Sequence, residues 1–175
     1  MSNVKLVPTL SHIIEDFEYS VHMCPTTMRN DVMKIFTEKT FADSEDIVVI
    51  PTVQKSEVDL SQAGDKQDNE KDRLLETFME WASLVCRQLW DRTFWADVID
   101  PSTGQPYFGD ADTATFATVQ GDKELLNYPT ETVDGQTVLS HPEWKTACYA
   151  GTMFTNAPVD VVLEVLGCIN DPEEY

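Results

Sequence analysis

Positive charge is scarce in this chain. Twelve lysines and arginines stand against thirty-one aspartates and glutamates in 175 residues, a formal charge of −19. A phosphate backbone would be repelled, so nucleic-acid binding is excluded, and an anionic membrane surface is disfavoured for the same reason. Thiols are few and scattered: Cys24, Cys86, Cys148 and Cys168 form no Cys-x-x-Cys pair. That argues against a zinc site and against a disulfide framework, and it suits a reducing compartment. Glycine is also sparse, with seven residues and neither Gly-x-Gly-x-x-Gly nor Gly-x-x-x-x-Gly-Lys, so no glycine cradle for a nucleotide phosphate is present. No apolar run reaches membrane-spanning length, and no internal repeat is visible. Residues Met1 to Leu10 carry one lysine and read as neither a secretory signal nor an arginine-rich transit peptide.

What the chain does have is a dense aromatic run from Phe94 to Gly109. Trp95, Val98 and Ile99 read as a buried strand end. Asp100-Pro101-Ser102-Thr103-Gly104 reads as a turn, with Asp100 accepting backbone N–H groups and Gly104 free to take positive φ. Tyr107-Phe108-Gly109 returns as a second extended piece. So much aromatic surface around one turn implies that it is held rigidly against a core or a partner.

Apolar periodicity supplies the remaining elements. Phe17–Met23 alternates as a half-buried strand, ended by Cys24-Pro25. Thr26 or Thr27 is placed to cap a helix with Met28, Val32, Ile35 and Phe36 on one face. Ile47–Gln54 is β-branched and continuous, as a central strand should be. Residues 56–70 are polar and predict a mobile insertion. From about Asn69, Leu74, Phe78, Trp81, Ala82, Val85 and Leu89 mark the clearest helical stripe. Asp110 to Ser140 predicts loop, with extended pieces at Thr115–Val119 and Thr137–Leu139. A strand over Thr146–Phe154 and a helix opening at Asn156-Ala157-Pro158 complete the list. The predicted organisation is a lead-in over 1–14, one domain over 15–170 and an acidic tail over 171–175. The alternation of strands and helices with uneven connections predicts an α+β sandwich on a mixed or antiparallel sheet.

Residues able to carry chemistry do not assemble into an enzyme. His12 reads as a solvated histidine. A Cys–His dyad of His22 and Cys24 is a minor reading. His141, in His141-Pro142-Glu143-Trp144, reads as a histidine satisfied by a backbone carbonyl at a turn. Asp97 and Asp100 would point to opposite faces of a strand and make no acid–base pair. Asp110 and Asp112 form only a lone Asp-x-Asp. The tryptophans 81, 90, 95 and 144 read as core or interface anchors.

These blocks resemble the methylmalonic aciduria and homocystinuria type D (CblD) family of cobalamin-trafficking proteins. The run Phe94-Trp95-Ala96-Asp97-Val98-Ile99-Asp100-Pro101-Ser102-Thr103-Gly104 is similar to the family's aromatic-Trp-Ala-Asp-Phe-Ile-Asp-Pro-Ser-Ser-Gly signature. His141-x-x-Trp144, Gly151–Ala157 and Cys24-Pro25 resemble its other blocks, in the same order. The resemblance implies a nitroreductase-like sandwich without flavin. It implies a non-enzymatic adapter that binds CblC, the family's cobalamin-processing partner, and directs cobalamin toward methionine synthase and methylmalonyl-CoA mutase. No cofactor is expected on the chain alone, and cobalamin is expected only through the partner. The expected address is the cytoplasm, with the mitochondrion as a second. Family members carry a cobalt-coordinating cysteine in a loop before His-x-x-Trp; the matching positions here are Gly135 and Gln136, so that thiol is missing. Rigid aromatics flanked by a polar loop suit recognition, so the candidate partner-binding residues are Trp95, Asp97, Asp100, Pro101, Gly104, Tyr107, Phe108, Gly109, His141 and Trp144, on a surface made by the aromatic turn and the loop from Asp110 to His141. The alternative reading is a flavin- or nicotinamide-dependent reductase on the same fold.

Overall fold

The computed structural model describes residues 16–42 and 45–170; the predicted lead-in, its His12 and the acidic tail lie outside them. The elements in chain order are β1 (Phe17–Tyr19), β2 (His22–Met23), α1 (Thr26–Ile35), β3 (Val48–Lys55), α2 (Asp65–Asp91), β4 (Ala96–Ile99), α3 (Thr118–Leu126), β5 (Thr130–Val133), β6 (Gln136–Leu139), β7 (Cys148–Thr155) and α4 (Val159–Asn170). The architecture is α+β. One sheet runs β1-β3-β7-β4, with β2 also on β3, and every pairing in it is antiparallel; β5 and β6 form a separate hairpin.

Strand alternation sorts the core onto two faces. On one face Val48, Ile50, Val98 and Met153 pack with Phe78, Trp81, Val85 and Leu89 of α2 and with Val162, Val165 and Leu166 of α4. On the other, Val49, Ile99 and Phe154 pack with Met28, Val32 and Ile35 of α1, and with Phe116 and Leu125 at α3. All six residues of the predicted α2 stripe are buried. Trp81 lies against Phe17 and Tyr19, with ring centroids 5.0 and 5.8 Å away.

The predicted strand 17–23 is one register in two pieces. Tyr19 faces Thr52 and His22 faces Val49, so Ser20 falls opposite Pro51. Ser20 N–H donates to Pro51 O, but proline has no N–H to return, and the ladder breaks there. The predicted threonine cap is also corrected. Pro25 occupies the α1 cap position without a side-chain bond, and the Thr27 hydroxyl donates to Glu124 instead.

Residues 56–64 are anchored at several points. Ser56 and Leu60 are buried, and the buried Glu70 carboxylate accepts from Ser56 Oγ, Glu57 N–H and Arg73 Nε. Helix α2 begins at Asp65, before the predicted start near Asn69, with Asp65 and Asp68 in its first turn where the helix dipole favours acids. Its far end closes in a Schellman turn: Thr93 N–H donates to Trp90 O and Phe94 N–H to Leu89 O. Thr93 sits at φ 68, a left-handed conformation costly for a β-branched residue. Thr93→Gly should therefore raise stability by up to about 1 kcal/mol, after the entropy cost of glycine. Chemical denaturation measures it.

Sheet and helix meet closely at Gly151. A Cβ there would lie 2.6 Å from the Phe78 ring, so α2 can seat Phe78 on the strand only because the side chain is missing. Gly151→Ala should cost about 1–3 kcal/mol by overpacking. Equal denaturation midpoints for variant and wild type would mean that Phe78 moves aside freely.

Three elements, α3, β5 and β6, lie in the stretch from Asp110 to Ser140 that predicts loop with two extended pieces. Extended chain ends by Ala117, and Thr118–Leu126 is helix α3 despite Gly121 within it. The piece at Thr137–Leu139 is strand β6, paired to β5 through Asp134-Gly135, both at positive φ (50° and 79°) as a type I′ turn requires.

Candidate functional site

The aromatic run folds back along β4. Asp100 N–H donates to Gln105 O and Tyr107 N–H to Val98 O, so the turn covers the edge of the sheet. Asp100 Oδ1 accepts Ser102 N–H at 2.9 Å and its hydroxyl at 2.6 Å, an Asx turn closed by Gly104 at φ 75. Pro101 and Gly104 are half-buried within it.

Asp97 is the clamp of this structure. It is 3% exposed, and its carboxylate accepts the N–H groups of Val98 (2.7 Å), Phe108 (3.0 Å) and Gly109 (2.9 Å). Burial pushes its carboxyl above the ordinary value, and the backbone donors oppose that rise. Gly109 permits the approach, because a Cβ there would meet both Asp97 Oδ2 and Glu38 Oε2 at 2.9 Å. Trp95 is half-buried and faces inward, edge-on to Phe36 and Phe41 at 5.0 and 5.1 Å. Its N–H donates to Asn156 Oδ1, and its carbonyl accepts the Thr155 hydroxyl. Tyr107 and Phe108 point outward; Phe108 meets Trp90 at the end of α2, and Tyr107 stands edge-on to Phe108.

His141 is buried under the β5–β6 hairpin. Its Nδ1 accepts N–H bonds from Glu143 (3.0 Å) and Trp144 (3.1 Å), so the ring proton sits on Nε2 and is donated to Glu18 Oε2 at 2.9 Å. The ring stacks on Trp144 at 3.9 Å and stands edge-on to Tyr128, whose hydroxyl also donates to Glu18. Burial, with the Glu18 charge beside it, raises the Tyr128 phenol to about 12. His141 sits at a turn, but the expected backbone carbonyl is replaced: the ring accepts two backbone N–H groups and donates to a carboxylate. Glu18 and Tyr128 were missed, since Glu18 lies more than a hundred positions from both of its partners and nothing local in the sequence joins them.

The other reactive groups are held quiet. His22 Nε2 is 2.7 Å from Ser20 Oγ and makes no dyad with Cys24, whose thiol burial raises to about 12. Cys148 donates to Leu139 O, and burial lifts its thiol to about 12 as well. Asp122 on α3 is fully buried. Its Oδ1 lies 3.5 Å from Thr152 Oγ1, its Oδ2 has no hydrogen-bond partner among the described residues, and burial raises its carboxyl well above the ordinary value. Among the described residues no group of three or more His, Cys, Asp and Glu could hold a metal ion. No helix among the described residues is long and apolar enough to cross a membrane.

The predicted residues thus form two groups. Asp97 pairs with Phe154 on the β4 edge, whereas Glu18, the partner of His141, lies on the β1 edge opposite Val53. The hairpin leans on Cys148, six residues along β7 from Phe154 or about 20 Å. One groove of about 160 Å³ reaches across, lined by Pro101 from the aromatic turn, Gln136 and Val138 from the hairpin, Val119 from α3, and Cys148 and Ala150 from β7. Gly135 lies exposed at the hairpin tip.

Comparison with known proteins agrees with this arrangement of blocks. The rat cobalamin trafficking protein CblD is 30% identical over 143 residues, covering 82% of this chain and 47% of the rat protein. The human protein of that name is 28% identical over the same span. The chain therefore spans about half the length of the curated relatives it matches. The family profile described as methylmalonic aciduria and homocystinuria type D protein matches residues 9–165, which include both edge clusters and the groove between them, and the chain belongs to that family.

Proposed function

We propose that this protein is a non-enzymatic adapter of intracellular cobalamin trafficking. It binds a CblC-like cobalamin-processing protein and directs the cobalamin toward methionine synthase and methylmalonyl-CoA mutase, in the cytoplasm and the mitochondrion. Family membership across residues 9–165 carries this reading, together with the trafficking role in the relatives' name. The antiparallel sheet with helices on both faces suits a nitroreductase-like sandwich that has given up flavin. The adapter role also fits the chemistry: the carboxylate of Asp97 and the ring of His141 are spent on backbone and neighbouring side chains, and the thiols of Cys24 and Cys148 stay neutral near pH 7.

Calorimetric titration of a CblC homologue, with and without cobalamin, tests the reading; heat of binding in neither state refutes it. The visible spectrum of the purified chain tests the flavin- or nicotinamide-dependent reductase alternative: bound flavin colour would favour the reductase. In this reading the hairpin tip faces the partner's cobalamin without supplying sulfur. The wild type should leave the cobalt spectrum of partner-bound cobalamin unchanged, and Gln136→Cys should introduce a thiolate–cobalt band. A thiolate band with wild type would place the ligand on another cysteine.

A further inference from the structure

Trp90, Phe108 and Tyr107 form a ladder of rings on the surface. Centroids are 4.8 Å apart at both steps, and the interplanar angles are 83° and 87°. The three side chains are 39%, 41% and 51% exposed, three of the five large apolar residues so exposed among the described residues. An apolar patch of this kind marks an interaction surface. The ladder is also preformed. Asp97 holds the Phe108 and Gly109 N–H groups, Trp90 Nε1–H donates to Ala96 O at 3.0 Å, and the Schellman turn fixes the helix end that carries Trp90. Rings fixed in this way lose little side-chain freedom on docking.

The border is acidic. Asp91 adjoins Trp90 and Asp110 follows Gly109, both carboxylates exposed, and the exposed Glu38 lies beside Gly109. The nearby cation Arg92 is committed to Gln88 and to Glu164. A second copy of this chain would bring another −19 charge and a second acidic border against the first, so self-association is the poorer fit.

We infer that the Trp90–Phe108–Tyr107 ladder is the main seat of the cobalamin-processing protein, which meets it with an apolar socket bordered by lysine and arginine. The inference rests on the adapter reading and narrows it. Trp95 and Asp97 shape the ladder from inside, Tyr107, Phe108 and Trp90 touch the partner, and the hairpin end supplies no large share of the affinity.

The test is titration calorimetry of a cobalamin-loaded CblC homologue against four proteins: wild type, Tyr107→Ser/Phe108→Ser, Leu84→Ser and Glu38→Lys/Asp110→Lys. Leu84 is equally exposed but lies on α2 away from the turn. The ladder variant should lose at least about thirty-fold in affinity, as expected for aromatic hot spots. Leu84→Ser should stay within twofold. The charge variant leaves the rings in place, and it should bind more weakly at low salt and with less salt dependence. Wild-type binding with the ladder and charge variants both within twofold overturns the inference and leaves the adapter reading standing. Absence of wild-type binding overturns both. A wild-type dimer in sedimentation that the ladder variant abolishes would assign the surface to a second copy and also overturns it.

Discussion

Asp122→Asn is expected to make the protein more stable than the wild type at neutral pH, and to change how its stability depends on pH. The carboxyl is fully buried on α3, with one 3.5 Å contact to Thr152 and an oxygen that nothing among the described residues satisfies. Burial therefore raises its folded pKa well above the ordinary value. Below the unfolded pKa, near 4, both states carry the proton and the group contributes no pH dependence. As pH rises, the unfolded chain ionises while the folded one keeps its proton, so stability falls by about 1.4 kcal/mol for each pH unit until the folded pKa is reached. Asparagine has nearly the same shape and cannot ionise. The two proteins should have similar stability near pH 4 and diverge steadily above it, in favour of the variant. The comparison must be made as a difference, because other carboxyls slope the opposite way: the hydroxyl of Ser61 holds Asp59 below its ordinary value, and Arg73 does so for Glu70. Burial of Asp97 tilts both proteins alike. Urea midpoints across pH 4–8 supply the measurement, and parallel curves would mean that Asp122 is ionised in the folded protein.

Trp95→Ala should destabilise the fold by about 3–5 kcal/mol, the range for large aromatic truncations in cores. The indole fills the space between Phe36 and Phe41 at the end of α1, and those rings in turn meet Phe154 and Lys39. Removing it opens a void beneath β4 and α1 together. It leaves intact the backbone bonds from Trp95 to Asn156 and Thr155, so the loss reports packing alone. Trp95→Phe should recover a large part of it. A midpoint unchanged by the alanine would show that the half-exposed indole adds no packing.

What the sequence made visible and what it hid divide along local and long-range physics. The α2 stripe, the β-branched core of β3 and the Asp100–Gly104 turn are each set by spacing within a few residues, and each appears in the structure. Helix α3 escaped because nine residues containing Gly121 carry little periodic signal. The Asp134-Gly135 turn was legible by its turn chemistry and was passed over among polar neighbours. The pairing of His141 with Glu18 and the inward turn of Asp97 depend on which strands become neighbours, and no spacing encodes that. The aromatic run drew attention correctly as a rigid unit. Only topology separates its inward ring, Trp95, from its outward pair, Tyr107 and Phe108.

The missing donor at Pro51 has a consequence for solubility. With the outermost strand cut into lengths of three and two residues, and the opposite border covered by the returning aromatic turn, neither flank offers a long straight template to a stray polypeptide. Among the described residues, a single imino acid in the middle of the sheet should therefore lower the tendency to fibre growth. Restoring the donor with Pro51→Val would lengthen the flank and weaken that guard.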